Sequence, residues 1–189
     1  MRKIVSKEIE GKKRKRNQLI VGGILVAIMI LSTVGYAFNR ENSTEGKKID
    51  YREIEFIQQN DYWLATIGGA QFAFRYNPQE TEEINSFMTI GINNYAGKAL
   101  YVSSDNFDAE VELYRNLDSI ILRRQYACLD EKTCEQGYPV KTCQDNFIII
   151  KEANSSSISQ QENCVFIEGS GNETIKLVDK FLYKILGLQ

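Results

Sequence analysis

Histidine is absent from the 189 residues. With it go the Ser-His-Asp and Cys-His catalytic arrangements, histidine-held metal sites and H-E-x-x-H protease chemistry. The chain has no C-x-x-C pair for thioredoxin-type exchange, no glycine-rich phosphate loop and no internal repeat. From Ile49 onward the longest basic run is the pair Arg123 and Arg124. Residues 1–17 hold eight Lys and Arg against Glu8 and Glu10, a net of +6; of the chain's 23 basic and 25 acidic residues, 15 and 23 follow, a net of −8. An acidic remainder lacks the basic face that neutralises phosphates, so nucleic acid is not an expected partner.

What is present begins with Lys12 to Arg16, five basic residues that run into an uncharged apolar stretch from Leu19 to Phe38. Twenty residues at 1.5 Å rise make a helix of about 30 Å, the hydrocarbon thickness of a bilayer. The expectation is a basic cytoplasmic tail over 1–18, a transmembrane helix over 19–38 and, by the positive-inside rule, everything after it outside the cell membrane. Gly35 and Ala37 also fit the small-residue spacing of a cleaved signal peptide, an alternative that leaves the same location for the rest. A pilin-type leader does not fit, because basic residues separate Gly11 from Leu19. The basic tail is expected to touch the anionic headgroups of the lipid bilayer.

The stretch NRENSTEGKK over 39–48 is polar and aperiodic, a linker, and 49–189 is long enough for one core. Strands are expected over Tyr51–Phe56, Tyr62–Ile67 and through Phe72, Phe74 and Tyr76, with Gly68 and Gly69 turning the second into the third. Asn77, Pro78 and Glu80 read as a helix start. Two more strands, Phe87–Ile92 and Ala99–Ser103, precede a helix expected to bury Val111, Tyr114, Leu117, Ile121 and Leu122 and to expose Glu112, Arg115, Asp118 and Arg123. Phe147–Lys151 should then pair in parallel with the strand before that helix. Cys164–Glu168 is the last strand; Asn172 caps a final helix that buries Ile175, Val178, Phe181, Leu182 and Ile185 and ends at Gly187. The fold class is therefore α/β or α+β: an N-terminal transmembrane helix, then one mixed-sheet domain covered by two long amphipathic helices.

Cys128, Cys134, Cys143 and Cys164 are even in number and spaced C-x5-C-x8-C-x20-C, which favours two disulfides over a zinc site, whose knuckles are tighter. Of three pairings, Cys128–Cys134 and Cys143–Cys164 is favoured, because a hairpin near Ser155 and Ser156 would return Cys164 opposite Phe147, close to Cys143. No metal or cofactor is expected.

Ser103, Ser104, Asp105 and Asp108 gather at the C-terminal end of the strand Ala99–Ser103, where open α/β sheets place ligands. Helix capping accounts for the same four residues without a ligand. Asn42, Asn154 and Asn172 begin N-x-S/T sequons at positions expected to be exposed. Trp63 and the tyrosines read as core rather than as a carbohydrate platform.

The runs KRKRNQLIVGG, PVKTC with NFIII, and NCVFIEG with DKFLYKILG resemble uncharacterised single-span surface proteins of archaea. That resemblance implies a cell-envelope setting and brings no activity or ligand with it. The expected function is a membrane-anchored extracytoplasmic interaction or accessory domain binding another envelope protein. The alternative is a carboxylate-based envelope enzyme or a small-molecule or glycan binder, using Asp105 and Asp108.

Overall fold

The computed structural model describes residues 16–32, 46–84, 86–134 and 137–189. It separates into two units, Met1–Glu45 and Gly46–Gln189. In the first, helix α1 covers residues 16–32. Among the described residues no helix is long and apolar enough to cross a membrane, which overturns the expected transmembrane helix over 19–38. Among the described residues α1 already includes Arg16, Asn17 and Gln18, ahead of the expected span, and its described length at 1.5 Å per residue is about 25 Å, short of a bilayer's apolar thickness. Residues 33–38 lie outside the described residues.

The second unit is α+β. Its first sheet is an antiparallel meander of β1 (Lys48–Tyr51), β2 (Ile54–Gln59), β3 (Tyr62–Ile67) and β4 (Ala70–Phe74). Gly68 and Gly69, at φ 59° and 85°, make the β3–β4 turn, whose two positive φ angles match the twist of the strands. The strand expected over Tyr51–Phe56 is instead cut by a turn at Arg52 and Glu53, at φ 49° and 68°, because Lys48–Tyr51 pairs back on Ile54–Ile57.

The second sheet is mixed, in the order β6-β5-β7-β9-β8. It comprises β5 (Ala99–Ser104), β6 (Arg123–Tyr126), β7 (Phe147–Glu152), β8 (Ser157–Gln161) and β9 (Cys164–Gly169). Helix α2 (Phe107–Leu117) joins the parallel pair β5 and β6, and α3 (Asn172–Ile185) follows β9. Strand β5 also pairs in parallel with β7, Tyr101 opposite Phe147, and β7 with β9, Phe147 opposite Cys164. Alternation along the strands sends Leu100, Val102, Ile148, Ile150, Val165 and Ile167 into the main core with the helices. Tyr101, Phe147, Ile149 and Cys164 form a smaller cluster on the opposite face with Ala127. Phe147–Ile150 is buried throughout because both faces are covered.

The two helices pack together, α3 lies against β9, and the meander closes over the pair from the other side, with β4 against α2. Tyr183 of α3 lies 4.3 Å from Phe74 and 6.0 Å from Phe56, ring centre to ring centre, and Trp63 is buried in the same core. There are thus two sheets with a helix pair between them rather than one sheet under two long helices. Helix α2 is shorter than expected: it stops at Leu117, with Leu122 71% exposed, and β6 starts at Arg123. The segment expected as the strand Phe87–Ile92 is not a strand: the one bridge beside it, from Ser86 to Ile158, precedes it, a 3₁₀ turn takes Ile92–Asn94, and Phe87 is exposed. Thr89 N–H there is taken by the Gln160 side chain rather than by a ladder partner.

Asn77 accepts from the amides of Gln79 and Glu80 while Glu80 accepts from Asn77 N–H, a capping box on a 3₁₀ turn over Pro78–Thr81. Asn172 does not cap α3. Gly171 holds that position at φ 51° and ψ −127°, open to glycine because it lacks a Cβ, and makes no side-chain bond. At the far end Gly187, at φ 78°, lets Leu188 N–H reach Tyr183 C=O and its own N–H reach Lys184 C=O, the paired bonds of a Schellman cap.

Disulfides join Cys128 to Cys134 and Cys143 to Cys164. Cys164 does reach Phe147, but through the parallel β7–β9 register, with β8 intervening, rather than through a hairpin. The bridge ties the loop after β6 across the small cluster on the outer face.

Candidate functional site

The four residues expected to mark a ligand site do not converge. Ser104 Oγ accepts from Asn106 N–H and donates to Asn106 C=O, a local turn, and Asn106 caps α2 by accepting from Ala109 N–H. Asp105 N–H continues the ladder to Ile150 C=O. Asp105 and Asp108 face solvent, and Ser103 is half-buried on β5. Asp108 lies in the first turn of α2, where a carboxylate interacts favourably with the helix dipole. Asn154 and Asn172 are exposed; Asn42 lies outside the described residues. The Thr174 hydroxyl of the Asn172 sequon is fully buried in the first turn of α3 and has no hydrogen-bond partner.

A groove of about 560 Å³ runs between α2 and β6. Strand β6 has β5 on one side and, among the described residues, no strand on the other, and all four of its residues are exposed. From α2, Phe107 stands 75% exposed at one end of the groove and Val111 is also exposed. Tyr126 O–H donates to Glu110 Oε1, which, with burial, pushes the phenol up to about 12. Burial, reinforced by the Glu110 charge, also raises the Tyr114 phenol, so both rings remain neutral donors at ordinary pH. Arg124 lies 4.1 Å from the Tyr114 ring centre and 3.1 Å from Asp118 Oδ2. Tyr138, just past the loop closed by Cys128–Cys134, lies tilted against Tyr126 with ring centres 5.6 Å apart. The groove thus combines an apolar rim, two phenols, the carboxylates of Glu110 and Asp118 and the guanidiniums of Arg115 and Arg124, a set suited to binding. Asp105 and Asp108 are not among its lining residues.

The other sheet edges are less open. On β4, Ala73 N–H donates to Asn116 Oδ1 and Asn116 Nδ2 donates back to Ala73 C=O, both at 2.9 Å. Just beyond it, Arg75 N–H donates to Glu112 Oε1 at 3.2 Å and Tyr76 N–H to Asp179 Oδ2 at 2.8 Å. Side chains of α2 and α3 therefore do for β4 what a further strand would do, sealing the edge. The outer strand β8 is crossed by the Ser86 bridge, and β1 presents Lys48 and Asp50 to solvent.

Glu112 was expected on the wet face of α2, yet it is 1% exposed, and Asp179 of α3 is fully buried. The helical period of α3 carries the signal: Asp179 falls four residues after Ile175 and three before Leu182, on the stripe that is otherwise apolar. Glu112 is paired by Arg115, with Arg75 Nε 4.0 Å away. Burial and then the Glu112 charge hold the Asp179 carboxyl well above the usual carboxylate range.

All four cysteines are in disulfides, so none is left as a thiolate ligand. Among the described residues no group of three or more Cys, Asp or Glu is arranged to hold a metal ion. Fold and groove together define a disulfide-stapled, two-sheet α+β domain with an open strand edge at β6. No protein-family model matches the chain, and no curated protein and no solved structure matches it either.

Proposed function

We propose that residues 46–189 form an extracytoplasmic interaction domain that receives an extended segment of another surface protein along β6, with an apolar side chain of that segment against Phe107 and Val111. The open β6 edge beside an exposed phenylalanine carries this reading. An unpaired strand supplies main-chain donors and acceptors, and the neighbouring groove selects side chains, the logic of strand addition. Two disulfides and no free cysteine support an oxidising compartment. The net +6 over residues 1–17 supports a separate contact with anionic lipid headgroups, on the order of 1 kcal/mol per Lys or Arg.

A photocrosslinking residue at Val111 in cells tests this, with the same residue at the exposed Lys151 as control. An adduct with one surface protein should form from Val111 alone and disappear when Phe107→Asp is added. Equal labelling from both positions, or an adduct indifferent to Phe107→Asp, would sink the proposal. A second reading, a small polar ligand such as a glycan, is favoured by the pairing of Tyr126 with Glu110 in a cavity within the usual span of about 300–1,000 Å³. A carboxylate enzyme built on Asp105 and Asp108 gains nothing from two exposed side chains beside an ordinary helix cap.

A further inference from the structure

We propose that the contact between the helix pair and the chain leaving β4 is a pH-sensitive latch, in which buried Asp179 holds a proton beside Glu112 and releases the segment Arg75–Tyr76 when that proton is lost. Asp179 is fully buried, its Oδ2 accepts from Tyr76 N–H, and its Oδ1 has no partner among the donors present. The neighbouring acid is Glu112, whose Oε1 accepts from Arg75 N–H and whose Oε2 is taken by Arg115. Two ionised carboxylates offer only acceptors to one another, so the orphaned oxygen is satisfied when it carries the proton and donates to Glu112.

The surroundings confine the charge to Glu112. Arg115 of α2 and Arg75 after β4 face Glu112, and both guanidiniums lie over the Tyr62 ring of β3, at 4.2 and 5.2 Å. Tyr183 of α3 donates to Tyr76 C=O, and burial, followed by the charges of Asp179, Glu112 and Glu80, raises its phenol. Tyr76 faces Glu173, Asp179 and Glu80 and is raised by burial and by those charges. Each of these neighbours except the two arginines opposes a second negative charge. The arginines are committed to Glu112.

The sign follows from proton counting. An acid raised in the folded state binds a proton that the unfolded chain has already released, so its contribution is complete below the ordinary carboxylate range. It is lost as pH climbs toward the folded-state value. The folding constant should fall by up to roughly tenfold per pH unit through that interval, the reverse of ordinary acid denaturation. Local loss should come first at Arg75 and Tyr76, whose amides depend on the two carboxylates.

The test uses the full chain and follows thermal midpoint and amide exchange from pH 5 to 9. The wild-type midpoint should fall with rising pH. Exchange at Arg75 and Tyr76 should accelerate by more than the tenfold per unit of base catalysis, and by more than it does at Ala65 in the meander's core. Asp179→Asn keeps an oxygen for Tyr76 N–H and supplies an N–H to Glu112, so it should remove the slope. If that variant fails to fold, Glu112→Gln, which removes the neighbouring charge but leaves Asp179 buried, should make the slope shallower without removing it. The infrared band of a buried protonated carboxyl in the wild type at pH 7 gives an answer independent of either variant. A flat wild-type profile, a slope that survives in folded Asp179→Asn, an unchanged slope in folded Glu112→Gln, or a missing band would each overturn the proposal.

Discussion

Removing the Cys143–Cys164 bridge should cost the domain more than removing Cys128–Cys134, and the difference can be worked from loop length. The bridges span 21 and 6 residues. Restriction of the unfolded chain then gives about 3.3 kcal/mol for the longer loop and about 2.2 kcal/mol for the shorter. Burial widens the gap: Cys164 is fully buried beside Tyr101 and Phe147, so its sulfur also leaves a small void worth on the order of 1 kcal/mol. Cys128 is only half-buried. In thermal terms the longer bridge alone corresponds to a fall of roughly 7–13 °C. The assay is denaturant and thermal melting, by circular dichroism, of the double variants Cys143→Ala/Cys164→Ala and Cys128→Ala/Cys134→Ala beside the intact protein. If the short-loop variant loses as much as the long-loop one, neither chain entropy nor outer-face burial is what these bridges supply.

Two further substitutions probe the polar joints of the fold. Asn116→Ala strands both the N–H and C=O of Ala73 and should cost about 1–3 kcal/mol in urea melts, whereas a loss below about 0.5 kcal/mol would show water replacing the amide. Gly171→Ala forces a Cβ onto a backbone at φ 51° and ψ −127° and should cost about 1–3 kcal/mol although the added methyl meets open space; an unchanged midpoint would mean that the turn relaxes freely. Phe107→Asp, which abolishes the expected groove adduct, should change stability by no more than about 0.5 kcal/mol because the ring is exposed, and unfolding of that variant would return Phe107 to a structural role. The stability of the whole domain should decline as pH rises from the acid range, and Asp179→Asn should remove the decline.

Local rules wrote much of the fold visibly into the chain. The Gly68–Gly69 turn, the Asn77–Glu80 cap, the apolar run at Phe147 and the buried stripe of α3 each depend on neighbours a few residues away. What escaped depends on distant partners. The sequence of β6, Arg-Arg-Gln-Tyr, carries no strand pattern of its own and is a strand because β5 lies beside it. Phe87–Ile92 has strand composition but finds no ladder, the nearest bridge being that of Ser86. Glu112 reads as surface because its bonding partner, the Arg75 amide, is 37 residues away; for Asp179 the Tyr76 amide is 103 away. The groove was illegible for the same reason, since it exists only where α2 ends and β6 turns back along it. The Cys143–Cys164 pair was reached for a reason half right: Cys164 does sit opposite Phe147, but in a parallel register.

The side chains that close β4 also invert the usual reading of conservative change. Glu112, Asn116 and Asp179 are hydrophilic residues on short helices, the kind a substitution table would let drift. Each nevertheless has a fixed length to span, because its far end must meet a main-chain group of the meander. Shortening Glu112 to Asp keeps charge and polarity and withdraws the carboxylate by one methylene from Arg75 N–H. In this domain, therefore, reach rather than polarity is what those three positions can least afford to lose, and drift should be freest where the helices face outward away from the groove, as at Asp108.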